Sequence, residues 1–308
     1  MRSAPNRRVQ EALLRTSLVV GRIAEIHVMA ERTPTEASLE GSLALDEMQP
    51  SQILELIHQQ DGVAHAAVGR VLPQIAEAVE VIVCALQGGG RWFNVGAGTS
   101  GRLGVLDASE IPPTYGLSPR IVQGVMAGGD RALRQAIEGA EDDAEAGSLE
   151  LEERGVTMGD VVVGISASGT TPYVLGAIEA AGKLGARSIA ISCDPTSPLA
   201  DSVEISIAPE VGPEVVTGST RMKGGLAQKM VLTALSTAVM VRMGRVRGHH
   251  MTHISSGSSK LRGRAMCIVM ELGKIDQDRA RELLRTTQGS VEAALQILET
   301  ERLVDEGS

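Results

Sequence analysis

"RWFNVGAGTSGRLGVLDASEIPP", residues 91–113, decides how the chain is read. Its first six residues form an apolar run, a strand pattern. "TSGRLGVLDASE" has the spacing of a helix. Between them lies a tight turn of Gly, Ala, Thr and Ser. A strand that turns at once into a helix leaves the helix's first N–H groups unpaired. The macrodipole draws an anion there, and glycine removes the steric bar to close approach.

The arrangement recurs. "GDVVVGIS" is a strand, "GISASGTTP" (residues 164–172) a second Ser/Thr-rich loop, and "TPYVLGAIEAAGKLG" a helix with Pro172 near its start. "PRIVQGVMAGG", "ARSIAIS" and "SVEISIAP" supply further strands, and "ALRQAIEGAEDDAEAGSLELEERG" reads as a pair of acidic helices. Upstream, "SQILELIHQQDGVAHAAVGRVLPQIAEAVEVIVCALQGGG" reads as two helices, with Ser51 as N-cap and the glycines at 88–90 as a stop. "STRMKGGLAQKMVLTALSTAVMVRMG" is a long apolar helix. Continuous apolar strands separated by helices specify an α/β fold, a three-layer parallel sheet covered by helices on both faces. Ligands of such sheets sit at the carboxyl ends of the strands. After about residue 275 the pattern changes to small amphipathic helices around "TQGS", a helical C-terminal appendage. Three parts are expected: an N-terminal arm (1–50) with a helix over about 8–30, a ligand-binding domain (51–247) and a C-terminal helical region (248–308).

Composition narrows the function. The 308 residues are 43% hydrophobic and 22% charged, an ordinary globular balance. One Trp, two Tyr and one Phe offer little for stacking on single-stranded nucleic acid. A net charge of −9 disfavours DNA and anionic membranes as partners. The apolar stretch near the N-terminus is broken by Arg22 and Glu25, unlike a signal or membrane span. Cys84, Cys193 and Cys267 are odd in number and widely spaced, which predicts buried free thiols in a reducing cytoplasm.

The two loops admit two readings: ordinary tight turns, or a paired cradle for a phosphate ester. "GAGTSG" matches the dinucleotide pattern GxGxxG only superficially, since no acidic ribose partner is clearly placed about 20 residues on. A third segment, "GPEVVTGSTRMKGGLAQK" (residues 212–229), sets Arg221 and Lys223 at a helix start, where the dipole opposes cations. A bound anion or acidic partner would offset that cost. The alternative is simple capping by Ser219 or Thr220 with both cations solvated.

"NVGAGTSGRLGVLDASEIPPTYG", "AIEGAEDDAEAG", "DVVVGISASGTTPYVLGAIEAA" and "GPEVVTGSTRMKGGLAQKMVLTALSTAVM" resemble the N-acetylmuramic acid 6-phosphate etherase family. That family belongs to the sugar isomerase (SIS) fold group and is related to the glucokinase regulatory protein. The resemblance covers roughly residues 35–300. It implies a lyase that releases D-lactate from a phosphorylated amino sugar without cofactor or metal, and a cytoplasmic homodimer whose partner is a small sugar phosphate. By the same resemblance Glu110 and Glu141 are the acid/base pair. Ser100, Ser166, Ser168 and Thr171 hold the phosphate, Gly98 and Thr99 bind substrate with them, and Glu214, Ser219, Thr220 and Lys223 line the sugar side. Pro112 and Pro113 are expected to end the helix just beyond Glu110, leaving it at a loop edge in the cleft. Spacing alone reads Glu141 as part of a solvated acidic face with Glu138, Asp142, Asp143 and Glu145.

The chain departs from the family pattern at Leu39, Ala44, Thr170 and Leu226, and most visibly in "GHHMTHISSGSSKL", residues 248–261. His249, His250, His253 and Ser258 stand there in place of Asn, Leu, Asp and Asn. Helical spacing would let two of the histidines share a face, but no carboxylate or cysteine completes a metal set nearby in sequence, and surface or lining histidines are the better reading. These departures leave room for an etherase with shifted sugar-phosphate specificity. A non-catalytic sugar-phosphate-binding regulator is a further alternative, although such relatives carry two SIS domains where this chain has one. An aldose–ketose isomerase would fit the fold but not the "GSTRMK" segment.

Overall fold

The computed structural model describes residues 33–40, 44–254 and 258–306. The helix expected over about 8–30 lies outside the described residues. Five short strands, β1 (Trp92–Gly96), β2 (Val122–Met126), β3 (Val161–Ile165), β4 (Arg187–Ile191) and β5 (Ile205–Ile207), pair in parallel in the order β2-β1-β3-β4-β5. β1 and β3 are buried along their whole length, as side chains covered on both faces must be.

Among the described residues the helices are α1 (Pro50–Arg70), α2 (Leu72–Gln87), α3 (Gly98–Tyr115), α4 (Gly129–Ala132), α5 (Ala144–Glu153), α6 (Pro172–Lys183), α7 (Pro198–Asp201), α8 (Lys223–Arg242), α9 (Ser259–Gly273), α10 (Gln277–Thr286) and α11 (Val291–Glu306). On one face of the sheet, Trp92, Val163 and Ile189 pack with α1, α2, α3 and α8 through Ile82, Ile111 and Leu235. On the other, Phe93, Val95 and Val162 pack with α5 and α6 through Leu151, Val174 and Ile178. This is the expected three-layer arrangement. By length and composition α8 could cross a membrane, but 56% of its apolar window is buried inside the fold, where it serves as a core helix.

A third core joins α9, α10 and α11 through Val269, Leu283 and Leu295, which forms the C-terminal appendage. A small hairpin, β6 (Val246–Arg247) with β7 (His250–Met251), leads into it. The boundary expected at 247/248 therefore falls at the turn of this hairpin. Arg247 forms ion pairs with Glu292 and Glu299 of α11, so the hairpin is tied to the appendage from its first strand.

Four local expectations change. Ser51 lies inside α1, not at its cap: Gln49 is the N-cap and exchanges hydrogen bonds with Gln52 in a capping box, with Pro50 at the first helical position. Pro112 and Pro113 do not end α3; the helix continues to Tyr115 and stops at Gly116, whose positive φ gives a left-handed cap. Burial of Ile111 in the core holds this last turn despite the lost proline donors. The acidic segment contains one full helix, α5, preceded by the four-residue α4 and an irregular stretch with a 3-10 turn at Ala140–Asp142. Of the three free cysteines only Cys193 is buried; Cys84 and Cys267 are exposed.

Candidate active site

Because every strand of the main sheet runs the same way, the loops after β1, β2, β3, β4 and β5 gather at one edge. The turn after β1 depends on glycine. A Cβ on Gly101 would lie 2.6 Å from the Gly96 carbonyl oxygen, so strand and helix touch backbone to backbone. Gly98 takes a φ of +53° and opens α3. Ser100 is buried and donates from Oγ to Gln228 Oε1 of α8 at 2.9 Å. Arg102 is committed to protein rather than to an anion: Nε and Nη2 donate to the carbonyls of Leu133 (3.2 Å) and Ala132 (2.8 Å). It thereby anchors the loop that carries Glu141.

The loop after β3 is a chain of hydroxyls. Ser166 Oγ lies 2.8 Å from Thr171 Oγ1, Ser168 Oγ lies 2.8 Å from Thr170 Oγ1, and the Gly169 amide donates to Ser166 Oγ at 3.0 Å. Gly169 has a φ of +69° and packs so tightly on Ser197 that a Cβ would meet its Oγ at 2.1 Å. Thr170 ends this chain of hydroxyls without adding a positive charge.

The third segment closes over both loops. Ser219 and Thr220 lie half-buried in the turn before α8, and the Gly225 amide donates to the Thr220 carbonyl at 2.8 Å. A Cβ on Gly225 would sit 3.4 Å from Thr99 Cγ2, and one on Gly224 would sit 3.5 Å from the Ala167 methyl. Neither Ser219 nor Thr220 caps α8. That task falls to Glu214, whose Oε2 and Oε1 accept from the amides of Lys223 (3.0 Å) and Gly224 (2.8 Å). The carboxylate meets the positive end of the helix dipole, so it is paired although only 1% exposed. Lys223 is also buried, and its Nζ donates to Gln60 Oε1 of α1 at 2.6 Å. Burial pulls the Lys223 ammonium below its ordinary value, and nearby Glu214 opposes that pull. Arg221, by contrast, is exposed.

The two glutamates stand apart. Glu141 is exposed on its 3-10 turn and lines a cavity of 170 Å³ with Gly98, Arg102 and Met126. Glu110 is exposed on the flank of α3 and lines a different cavity, 310 Å³, between α3 and α8 with Asp107, Lys229 and Ser236. At 1.5 Å per residue, Glu110 lies about 18 Å along the helix from Gly98. In the second cavity Ser236 Oγ donates to Asp107 Oδ1 at 2.9 Å, and burial raises the Asp107 carboxyl to about 6.

Sequence reasoning missed Gln60, Gln228 and Asp107. The signal for Gln228 was present, a polar residue in an otherwise apolar helical stretch. Gln60 had none, because it reaches Lys223 across 163 residues of chain.

His249, His250 and His253 are not on a helix. The first two belong to the turn and second strand of the β6–β7 hairpin, and His253 follows it, with Nδ1 3.1 Å from Thr252 Oγ1. None of the three lines either cavity.

Parallel sheet, glycine turns and hydroxyl loops are the features of an SIS domain, and the family comparisons agree. The SIS domain model matches residues 147–238, and that of the glucokinase regulatory protein N-terminal SIS domain matches residues 74–182. The chain is 49% identical to the N-acetylmuramic acid 6-phosphate etherase of Symbiobacterium thermophilum over 86% of its length and 88% of the relative's. It is 46% identical to the enzyme of that name from Pectobacterium atrosepticum, over 83% of its own length and 85% of the relative's. Among solved structures it is similar to a phosphoheptose isomerase from Francisella tularensis, with a TM-score of 0.48 at 18% identity over 63% of this chain and 100% of that one. The chain belongs to the N-acetylmuramic acid 6-phosphate etherase family.

Proposed function

We propose that this chain is a carbon–oxygen lyase that converts N-acetylmuramic acid 6-phosphate into N-acetylglucosamine 6-phosphate and D-lactate. The observation that carries the reading is its identity of 45–49% over most of its length to curated etherases. The chemistry is an elimination followed by a hydration. Ring opening exposes an aldehyde at carbon 1, which acidifies the proton on carbon 2. A carboxylate removes that proton, the bond from carbon 3 to the ether oxygen breaks, and lactate departs with the electron pair and a proton from the acid. Water then adds across the double bond, hydroxyl to carbon 3 and proton to carbon 2. Two carboxyl groups in different environments suffice for this without a cofactor.

In this reading Glu110 and Glu141 are the acid/base pair. The amides at Gly98, Thr99 and Ser100 and the hydroxyls of Ser166, Ser168 and Thr171 hold the phosphate at the starts of α3 and α6. Ser219, Thr220 and Lys223 meet the sugar, and Glu214 acts by fixing the start of α8 beneath them. Because Glu110 and Glu141 line separate cavities of one chain, the site is completed by a second copy. Exposed Leu106 beside Glu110 gives α3 an apolar flank for that contact. Each site then combines Glu141 of one chain with Glu110 of the partner subunit, in a cytoplasmic homodimer.

The experiment is D-lactate release from N-acetylmuramic acid 6-phosphate. Glu110→Gln and Glu141→Gln should each abolish it without altering the thermal melt. Mixing the two inactive variants should restore about a quarter of the wild-type rate, since half the dimers are mixed and each has one intact site. Normal turnover by either variant would remove that residue from the mechanism. Two inactive variants that stay inactive when mixed and exchanged would place both glutamates of a site in one chain.

A further inference from the structure

The hairpin turn brings together residues that the sequence leaves unconnected. In a regular strand neighbouring side chains point to opposite faces. Here Gly248 (φ +59°) folds the chain back, and the rings of His249 and His250 lie with centroids 4.0 Å apart at 38°. Glu271 of α9, absent from any local motif, reaches the same spot: its Oε1 lies 3.1 Å from His250 Nε2. One ligand atom from each of His249, His250 and Glu271 falls within 4.8 Å of the others.

Two further observations point to an occupant. His250 Nε2 is buried and makes no hydrogen bond, although the carboxylate is within ion-pair distance, so the two atoms are close without being aimed at each other. Ligand atoms aimed at a common third point have that relationship. His249 and Glu271 are exposed, leaving the other side of that point open to solvent. Two imidazole nitrogens and a carboxylate oxygen are the donors of a borderline divalent ion such as Zn²⁺. With metal–ligand bonds of about 2.0–2.2 Å, tetrahedral ligands stand roughly 3.4 Å apart, which these side chains reach by small rotations.

We propose that His249, His250 and Glu271 form a surface site for a divalent transition-metal ion, completed by water, that clips the β6–β7 hairpin to α9. The site is separate from both cavities and has no part in the lyase chemistry. Its role is to fasten the second strand of the hairpin to the C-terminal appendage, the first strand being held by Arg247 on Glu292 and Glu299.

The test is a calorimetric titration of Zn²⁺ into the metal-stripped full-length protein, alongside its thermal melt. One ion per chain and a higher melting temperature with zinc are expected. His249→Gln and Glu271→Gln should each weaken binding by about tenfold or more, while His65→Gln, at an exposed histidine outside the cluster, leaves it unchanged. Co²⁺ should give the intense visible absorption of a low-coordinate site in the wild type and lose it in Glu271→Gln. Absence of saturable one-to-one binding would overturn the proposal and leave His250 and Glu271 as a close contact without a metal. Binding unaffected by both His249→Gln and Glu271→Gln would overturn it equally.

Discussion

Glu214 holds Lys223 by its backbone, accepting the amide at 3.0 Å, while the Lys223 side chain runs past to Gln60. One carboxylate thus caps α8 and supplies a negative charge that favours a buried ammonium. Glu214→Gln keeps the shape but loses the charge and one acceptor. We expect a loss of about 1–3 kcal/mol, as for a removed helix cap and a weakened charged hydrogen bond. Chemical denaturation at neutral pH measures it, and an unchanged midpoint would contradict the capping role.

Asp107 carries the opposite liability. Its Oδ2 is buried without a partner, and burial raises the folded-state carboxyl from 3.8 to about 6, with Ser236 and Lys229 opposing and Glu110 adding to the rise. The folded protein binds this proton more tightly than the unfolded chain, so stability falls as pH rises through the window from about 4 to 6. Asp107→Asn should remove that slope and stabilise the protein at pH 7 by at most about 3 kcal/mol, with little effect near pH 3. Denaturation midpoints of both proteins across this range provide the comparison.

Asp160 titrates in the other direction. It is 2% exposed and accepts from the Arg91 amide (2.7 Å), Arg91 Nη2 (2.8 Å) and the Thr157 amide (2.8 Å). Burial alone would raise its carboxyl, but these hydrogen bonds outweigh it and hold the group below its ordinary value. The resulting stability is present above the unfolded value near 4 and is lost as pH falls through the folded one. Asp160→Asn should cost about 1–3 kcal/mol at pH 7, because it removes the anion and one of the acceptors facing Arg91 and Thr157 while Arg91 keeps the Arg154 and Gly155 carbonyls, and should flatten the acid limb of the stability profile.

α5 and α6 meet at two glycines. A Cβ on Gly147 would lie 2.0 Å from the Tyr173 carbonyl oxygen, and one on Gly176 would lie 2.0 Å from that of Ala144. Either alanine substitution must push backbone against backbone, at a cost of about 1–3 kcal/mol or more. Gly182→Ala, on the same helix with nothing within 4 Å of the new methyl, should be neutral or stabilising by roughly 0.5–1 kcal/mol. Equal melting temperatures for Gly176→Ala and Gly182→Ala would refute the close-packing argument.

How far the sequence could be read depended on the range of the interaction. Apolar runs and glycine turns are local, so β1 to β5, α3, α6 and α8 could be read from their own residues. The hydroxyl loop of Ser166 to Thr171 was equally visible, since its partners lie within five residues. Misreadings arose where packing overrode local preference. Pro112 and Pro113 mark a helix end by their own chemistry, yet Ile111 sits in the core and carries α3 onward to Gly116. The histidines carry a helical spacing, but the turn at Gly248 makes a hairpin of them.

By itself, then, the chain determined a parallel α/β sheet with glycine-rich and hydroxyl-rich turns at its carboxyl edge. Hydrophobic periodicity and turn chemistry act between near neighbours and leave their mark in residue order. The tertiary structure alone decided that Glu214 caps α8, that Gln60 receives Lys223, that Glu110 and Glu141 line separate cavities, and that Glu271 meets His249 and His250. Each is a meeting of distant segments, fixed by how helices pack on the sheet, and side-chain reach of a few ångströms leaves no periodic trace along the chain.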